Sequence, residues 1–163
     1  MLIASIALVG YLLDFGVKEY VLANYSQPVP ILGGVVVFTL VRNPGAAFSM
    51  GEGFTVGFSV LALVALIFVT FWLAPRVRNL GWAAVTGLLW AGIAGNLTDR
   101  LFRSPGPFHG EVVDMIQVPY FAVFNVADMW ITFAAIGLLY LSVVKGVGLK
   151  GENIKDEKHK DAK

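Results

Sequence analysis

No cysteine occurs among the 163 residues, which excludes disulfides, thiol nucleophiles and cysteine-based metal sites. Charge is scarce too: Asp, Glu, Lys and Arg make up 14% of the chain, against about a quarter in an ordinary soluble domain. The net charge is only +1, and no basic patch interleaved with aromatics appears, so nothing points to a nucleic-acid partner. No HExxH pattern is present, and no internal repeat suggests a transporter. Apolar residues fill the space left: 57% of the chain is hydrophobic, with a mean hydropathy of +0.74. Together these values indicate an integral membrane protein forming one helical unit, with no cofactor expected.

A helix needs about 20 apolar residues to cross the hydrocarbon. Phe54–Ala74 meets this without a charge, Leu80–Thr98 follows, and Val126–Val144 is interrupted only by Asp128 near its start. Met1–Leu13 is too short alone, so a span must continue through Asp14 towards Leu22. No basic stretch precedes this segment and no convincing small-residue cleavage site follows, so we expect a retained helix. The expected architecture is an all-α membrane protein of four transmembrane helices, about 1–22, 54–74, 80–98 and 126–144, in one domain over 1–145.

Between the spans the pattern changes. Ile31–Val41 is short and rich in β-branched residues, with Pro28, Pro30, Gly33 and Gly34 around it and Asn43-Pro44-Gly45 after it. A strand or hairpin at the membrane surface suits this best. Residues 103–120 hold three prolines and two glycines and read as a loop with one short helix around Glu111–Gln117. From Lys145 onward six lysines and four acids predict a polar tail, disordered over 146–163.

Positive charge sets the orientation. The short loop Pro75–Asn79 carries Arg76 and Arg78 without an acid, and the tail is lysine-rich; both belong on the cytoplasmic side, with both termini. Asp14, Glu19, Glu52, Asp99, Glu111, Asp114 and Asp128 then fall at the outer face. Arg42, Arg100 and Arg103 fall there too, which weakens the bias without reversing it.

Ionisable groups at bilayer depth are costly, and where they cluster they mark function. Asn96, Asp99 and Arg100 have i, i+3, i+4 spacing and share a helical face; a helix-end salt bridge would explain them as well. Asn125 and Asp128 begin the last span, where an N-cap and a dipole-complementing acid are equally good readings. Asp114 sits among Val112, Val113, Met115 and Ile116, where a solvated loop would be polar. Asp14 and Lys18 are spaced for an i, i+4 ion pair.

If the third and fourth spans pack side by side, Asp114 and Asp128 converge. Two carboxylates at close range cannot both ionise easily, so one keeps a proton near neutral pH. The ionised member then deprotonates a water, and the protonated one polarises a carbonyl and protonates a leaving amine. Because Asp128 begins a helix, it is expected to be the more readily ionised member.

Four stretches appear in order: Asn43-Pro44-Gly45-Ala46-Ala47-Phe48, Gly95-Asn96-Leu97-Thr98-Asp99-Arg100, Val112-Val113-Asp114 and Phe124-Asn125-Val126-Ala127-Asp128. They resemble the lipoprotein signal peptidase family (signal peptidase II), bacterial aspartic endopeptidases of the inner membrane, over Asp14 to about Val144. The resemblance implies that Asp114 and Asp128 form the catalytic dyad, with Asn43, Gly45, Asn96, Asp99, Arg100 and Asn125 around dyad and substrate. Asp14 and Lys18 match the first-helix Asp and Lys of the family, although Phe15 stands where Gln is frequent.

It further implies an extracytoplasmic β-cradle at about 29–50 and a mobile loop at 103–120 over the site, with the active site at the outer face. The implied partners are membrane lipids and a prolipoprotein carrying diacylglyceryl on its lipobox cysteine, cut just before that residue by a monomeric enzyme. Inhibition by cyclic peptides of the globomycin type is also implied.

Other readings compete. A serine–lysine peptidase would use Lys18 with Ser26, Ser49 or Ser59, but no serine has an activating context. A metallopeptidase built on His109, Glu111 and Asp114 lacks a second nearby histidine. An ion path through Asp14, Asp99, Asp114 and Asp128 would call for acids near the bilayer midplane.

Overall fold

The computed structural model describes residues 1–45 and 53–153. The Ala46-Ala47-Phe48 part of the turn motif, Ser49, Glu52, the last part of the expected cradle and most of the expected tail lie outside the described residues.

Four long helices are present. The first, α1 (Leu2–Asn24), runs unbroken past Asp14 and Lys18, as expected, and ends before Pro28, whose ring disfavours helical geometry in the preceding residue. Helix α2 (Gly53–Ile67) continues through a π-helical stretch, Phe68–Leu73, into a final 3-10 turn at Ala74–Arg76. There the Arg76 guanidinium lies 4.4 Å from the centre of the Trp72 ring. Helix α3 (Leu80–Phe102) starts where the Asn79 side chain accepts from the Gly81 and Trp82 amides, and it runs beyond the expected end at Thr98. Helix α4 (Val126–Leu139) opens with a capping box and closes through π-helical Tyr140–Val144.

Among the described residues, three segments are long and apolar enough to cross a membrane: Thr55–Arg76, Leu80–Phe102 and Val126–Val144. Helix α1 is also 23 residues long but carries Asp14, Lys18 and Glu19. Large apolar side chains such as Leu8, Leu12, Leu61, Val64, Phe71, Ile136 and Leu139 face outward, the arrangement expected where the surrounding solvent is lipid.

Helix α3 is the hub, packing on α1, α4 and α2. Small residues allow this close approach. A Cβ on Gly87 would lie 2.8 Å from Ile6 Cβ of α1, and one on Gly92 would lie 2.5 Å from the Ala127 carbonyl oxygen of α4. At one end of the bundle Trp82, Val85 and Ala134 form a buried cluster; at the other, Val21 of α1 meets Val113 and Met115.

That second cluster belongs to a three-stranded antiparallel sheet in the order β1 (Val29–Ile31), β2 (Val36–Asn43), β3 (Val112–Gln117). The hairpin expected around Ile31–Val41 is β1 and β2, joined through Leu32, Gly33 and Gly34, all with positive φ. The helix expected around Glu111–Gln117 is instead β3. It pairs with β2, and its first four residues are buried on both faces, Val113 and Met115 against α1 and Asp114 on the other side. A strand buried on both faces loses the alternation that would have revealed it.

The expected solvated tail also differs. Residues 146–153 fold back onto the α2–α3 connection: Arg78 and Asn79 amides donate to the Leu149 carbonyl at 2.9 and 3.2 Å, and Trp82 Nε1 donates to the Val147 carbonyl at 2.9 Å. Val147 and Leu149 pack on the Trp82 cluster. Partial burial of these two side chains, with the backbone hydrogen bonds to Leu149 and Val147, holds the segment despite the polar composition around it.

Gly92→Val places branched carbons against the Ala127 carbonyl and Ile131 and is expected to cost about 1–3 kcal/mol of stability. Gly57→Val, at a position with no atom within 4 Å of the new Cβ, is expected to be nearly neutral. Thermal unfolding in detergent micelles compares the two.

Candidate active site

Strand β3 brings Asp114 beneath the end of β2. Opposed residues of an antiparallel pair share a face, and the register sets Val41 opposite Asp114 and Asn43 opposite Val112. Asn43 therefore reaches the carboxylate: its Nδ2 donates to Asp114 Oδ2 at 2.9 Å. Asn43 Oδ1 accepts from the Gly45 amide at 2.9 Å, which folds the Asn-Pro-Gly turn back on itself, and Gly45 adopts the φ of +101° that the turn demands.

Asn125 both caps α4 and contacts Asp114. As the N-cap of α4 its Oδ1 accepts from the Asp128 amide at 3.0 Å, while the Asn125 amide donates to Asp128 Oδ2 at 3.2 Å. Its Nδ2 remains free of capping and donates to Asp114 Oδ1 at 2.6 Å and to Asn96 Oδ1 at 3.0 Å. Asn96 in turn donates from Nδ2 to Asp128 Oδ1 at 2.8 Å. The two carboxylates are thus joined through two side-chain amides, and each of their four oxygens accepts a hydrogen bond.

The face shared by Asn96, Asp99 and Arg100 divides. Arg100 lines the cavity with Asn96, donating from Nη1 to the Asn96 carbonyl at 3.2 Å, with its charge near Asp128 and Asp114. Asp99 turns towards α1, where Lys18 Nζ lies 2.7 Å from Asp99 Oδ2 and 2.8 Å from Asp14 Oδ2. Lys18 also donates to Asn96 Oδ1 at 3.2 Å. Asp14 Oδ1 accepts the Ala127 amide at the start of α4 at 2.8 Å, and Asp99 holds the Val113 amide of β3 and the Arg103 guanidinium. Asp14 and Lys18 are 0% and 1% exposed, so this group acts from behind the cavity.

The cavity is about 820 Å³, and polar side chains in its lining are Arg42, Asn43, Asn96, Arg100, Asp114, Asp128 and Thr132. Its apolar walls are Phe58 of α2, Phe121 and Phe124 of the segment before α4, and Met129 and Phe133 of α4. Those aromatic walls were not singled out from the sequence, because apolar residues in an apolar chain carry no contrast. A second missed feature had a signal: Thr55 and Ser59, hydroxyls one turn apart in an apolar helix. Thr55 Oγ1 donates to the Pro44 carbonyl, and Ser59 Oγ lies 2.8 Å from both the Thr55 and Phe108 carbonyls. Together they tie α2 to the Asn43 turn and to the loop before β3. Ser59 is thereby fully buried and poorly placed as a nucleophile. Ser26 is exposed, and His109 Nδ1 sits 3.0 Å from the Pro107 carbonyl in an exposed turn.

Asp114 is 2% exposed. Burial pushes its pKa up to about 6; the nearby Asp128 charge adds to the rise, and the hydrogen bonds from Asn43 and Asn125 oppose it. One carboxyl of the pair is therefore poised to hold a proton at mildly acidic pH.

Residues 6–144 match the family described as signal peptidase (SPase) II. The chain belongs to the signal peptidase II family. Among curated relatives, the lipoprotein signal peptidase of Leifsonia xyli is 46% identical over 160 residues, covering 96% of this chain and 73% of that protein. That of Streptomyces griseus is 46% identical over 154 residues, covering 93% and 78%. The Mycobacterium tuberculosis protein is 42% identical over 144 residues, covering 87% and 71%. A bacterial membrane enzyme solved by the in meso method superposes with a TM-score of 0.75 at 26% identity, covering 86% of this chain and 92% of that one. Signal peptidase II membership makes this chain a peptidase and hydrolase, and the fold is that of a bacterial membrane enzyme.

A pKa raised on folding means that the folded state disfavours the charged form, so stability falls as pH rises from the unfolded value of 3.8 through about 6. Relative to Asp114→Asn, the wild type is expected to lose up to about 3 kcal/mol between pH 4 and pH 7. Denaturant unfolding of both proteins across that range measures the difference, which should be flat above pH 7.

Proposed function

We propose that this chain is an aspartic endopeptidase that removes the signal peptide from diacylglyceryl-modified prolipoproteins, cutting just before the lipidated cysteine, with Asp114 and Asp128 as its catalytic pair. The observation that carries the reading is the amide-bridged pair of carboxylates lining an apolar cavity. Family membership and the relatives' names agree with the substrate class.

In this reading α1 is a fourth span, both termini lie on the cytoplasmic side, and the sheet stands outside the membrane as a cradle at the outer face. A substrate anchored by acyl chains and an apolar signal helix arrives with its scissile bond near the carboxylates, so anchoring supplies orientation and effective concentration. Phe58 on α2 and Met129 and Phe133 on α4 offer apolar walls for such chains. The enzyme works as a monomer and takes globomycin-type cyclic peptides in the same cavity.

The chemistry follows from the unequal settings of the two acids. Asp128 is the third residue of the first turn of α4, where backbone amides favour an anion; it takes a proton from water as the oxygen attacks the carbonyl carbon. Asp114, which retains a proton more readily, donates a hydrogen bond to the carbonyl oxygen as charge develops there. When the C–N bond breaks, the Asp114 proton goes to the leaving amine, and the proton held by Asp128 restores the pair.

Asp114→Asn and Asp128→Asn are each expected to lower cleavage of a diacylglyceryl-modified precursor by roughly 10²–10⁴-fold, with insertion and folding retained. Ser59→Ala should leave the chemical step in place. A vesicle assay comparing modified and unmodified precursor reads both points. Near wild-type turnover by either Asn variant would remove the dyad, and equal cleavage of the unmodified precursor would remove the lipid requirement.

A further inference from the structure

An asparagine side chain offers an acceptor at one end and a donor at the other, and which end faces a carboxyl oxygen decides whether that oxygen accepts or must donate along that contact. Asn96 and Asn125 both present nitrogen to the acids: Asn96 Nδ2 to Asp128 Oδ1 at 2.8 Å and Asn125 Nδ2 to Asp114 Oδ1 at 2.6 Å. For Asn125 the reason is local. Its oxygen is held by the Asp128 amide at the positive end of α4, so its nitrogen must turn the other way. Asn96 lies inside α3 with no helix terminus to face; Asn125 Nδ2, 3.0 Å from its Oδ1, gives its amide a neutral constraint, and a charged one completes it.

The charged constraint comes from α1. The Lys18 ammonium has three hydrogens and no acceptor, and it meets three acceptors: Asp14 Oδ2 at 2.8 Å, Asp99 Oδ2 at 2.7 Å and Asn96 Oδ1 at 3.2 Å. Turning the Asn96 amide over would set an NH₂ group against a buried ammonium and against Asn125 Nδ2, leaving donors facing donors on one side. On the other side it would present an oxygen to Asp128 Oδ1, which favours a protonated Asp128. In a water-poor interior such mismatched groups are costly.

We propose that Lys18 is a positioning residue of the cleavage reaction: it fixes the direction of the Asn96 amide, and through that amide it commits Asp128 to the role of acceptor. The proposal rests on the dyad reading above. The charged groups around Lys18 are Asp14 and Glu19 on its own helix, Asp99 and Arg100 on α3, Arg103 just after α3, Asp114 on β3 and Asp128 on α4. Asp14 and Asp99 hold the ammonium directly, Arg103 shares Asp99, and Arg100 bonds the Asn96 backbone rather than its side chain. Among the described residues, Lys18 alone contacts the Asn96 side chain with a positive charge.

The test is the acid limb of the kcat/KM profile, which reports the ionisation of the group that activates water. In Lys18→Met the Asn96 amide loses its charged partner and keeps only Asn125 Nδ2 on its oxygen, and the limb is expected to move up by about one pH unit with at least a tenfold loss of kcat and a smaller change in KM. Because Lys18→Met leaves Asp14 without a cation and Asp99 with Arg103 alone, the triple variant Asp14→Asn, Lys18→Met, Asp99→Asn removes the three buried charges, keeps the Arg103–Glu19 pair, and should show the same displaced limb. In an Asn96→Ala background the additional effect of Lys18→Met on the limb should vanish, since the amide that transmits it is gone. A folded triple variant with the wild-type limb overturns the proposal, as does additivity of Lys18→Met with Asn96→Ala. Failure of both Lys18 variants to fold also overturns it and makes Lys18 purely structural. Asp128→Asn, assayed alongside, separates the two ideas: if it stays active the dyad reading fails, and if it is inactive while the limb is unmoved only the Lys18 proposal fails.

Discussion

A lysine ammonium buried to 1% exposure is the constraint from which the rest of this structure follows. An unpaired charge in such a place would cost several kcal/mol, so carboxylates must be brought to it, and each of those must in turn be satisfied. Asp14 is one helical turn away on α1, and its second oxygen receives the Ala127 amide at the start of α4. Asp99 comes from α3, and its oxygens hold the Val113 amide of β3 and the Arg103 guanidinium. One buried cation thus obliges three helices and a strand to meet at fixed relative positions. Those same elements carry Asn96, Asp114, Asn125 and Asp128.

Packing makes the approach possible. Gly95 sits so close to Asp14 and Ala127 that any side chain would displace the carboxylate, and Gly92 lets α4 approach α3 to within contact of its own first turn. On the other flank α2 meets α3 and is pinned to the Asn43 turn and to the loop before β3 by Thr55 and Ser59. Apolar walls and polar floor therefore come from different parts of the chain: the walls largely from α2, α4 and the segment before α4, the floor from residues whose direction is set by hydrogen bonds.

Much of this was readable in the sequence, for physical reasons that differ by residue. Asp114 and Asp128 stood out because charge is rare in an apolar chain, and the Asn43-Pro44-Gly45 turn because few residues tolerate its backbone. The helices over 54–74, 80–98 and 126–144 were visible as charge-poor runs, though α3 carries on to Phe102 because Asp99 and Arg103 find partners that keep the last turn in place. β3 was misread because its neighbours bury both of its faces, and burial on both faces looks the same in a strand and in a buried helix. The ordered 146–153 segment was hidden by its composition: Val147 and Leu149 find a docking surface that only the folded bundle creates. Asn125 could not be divided in advance between cap and active-site donor, since one amide has the atoms for both.

The cavity of about 820 Å³ has a further consequence for a hydrolase, whose second reactant is water itself. Phe58, Phe121, Phe124, Met129 and Phe133 offer a water molecule nothing to bind, while the carboxylates and amides at the floor offer several acceptors and donors within reach of one another. Solvent entering from outside is therefore stable only where it is needed. Wetting of the cavity is therefore uneven by construction, with water drawn to the floor where the two carboxylates stand and left without partners along the walls.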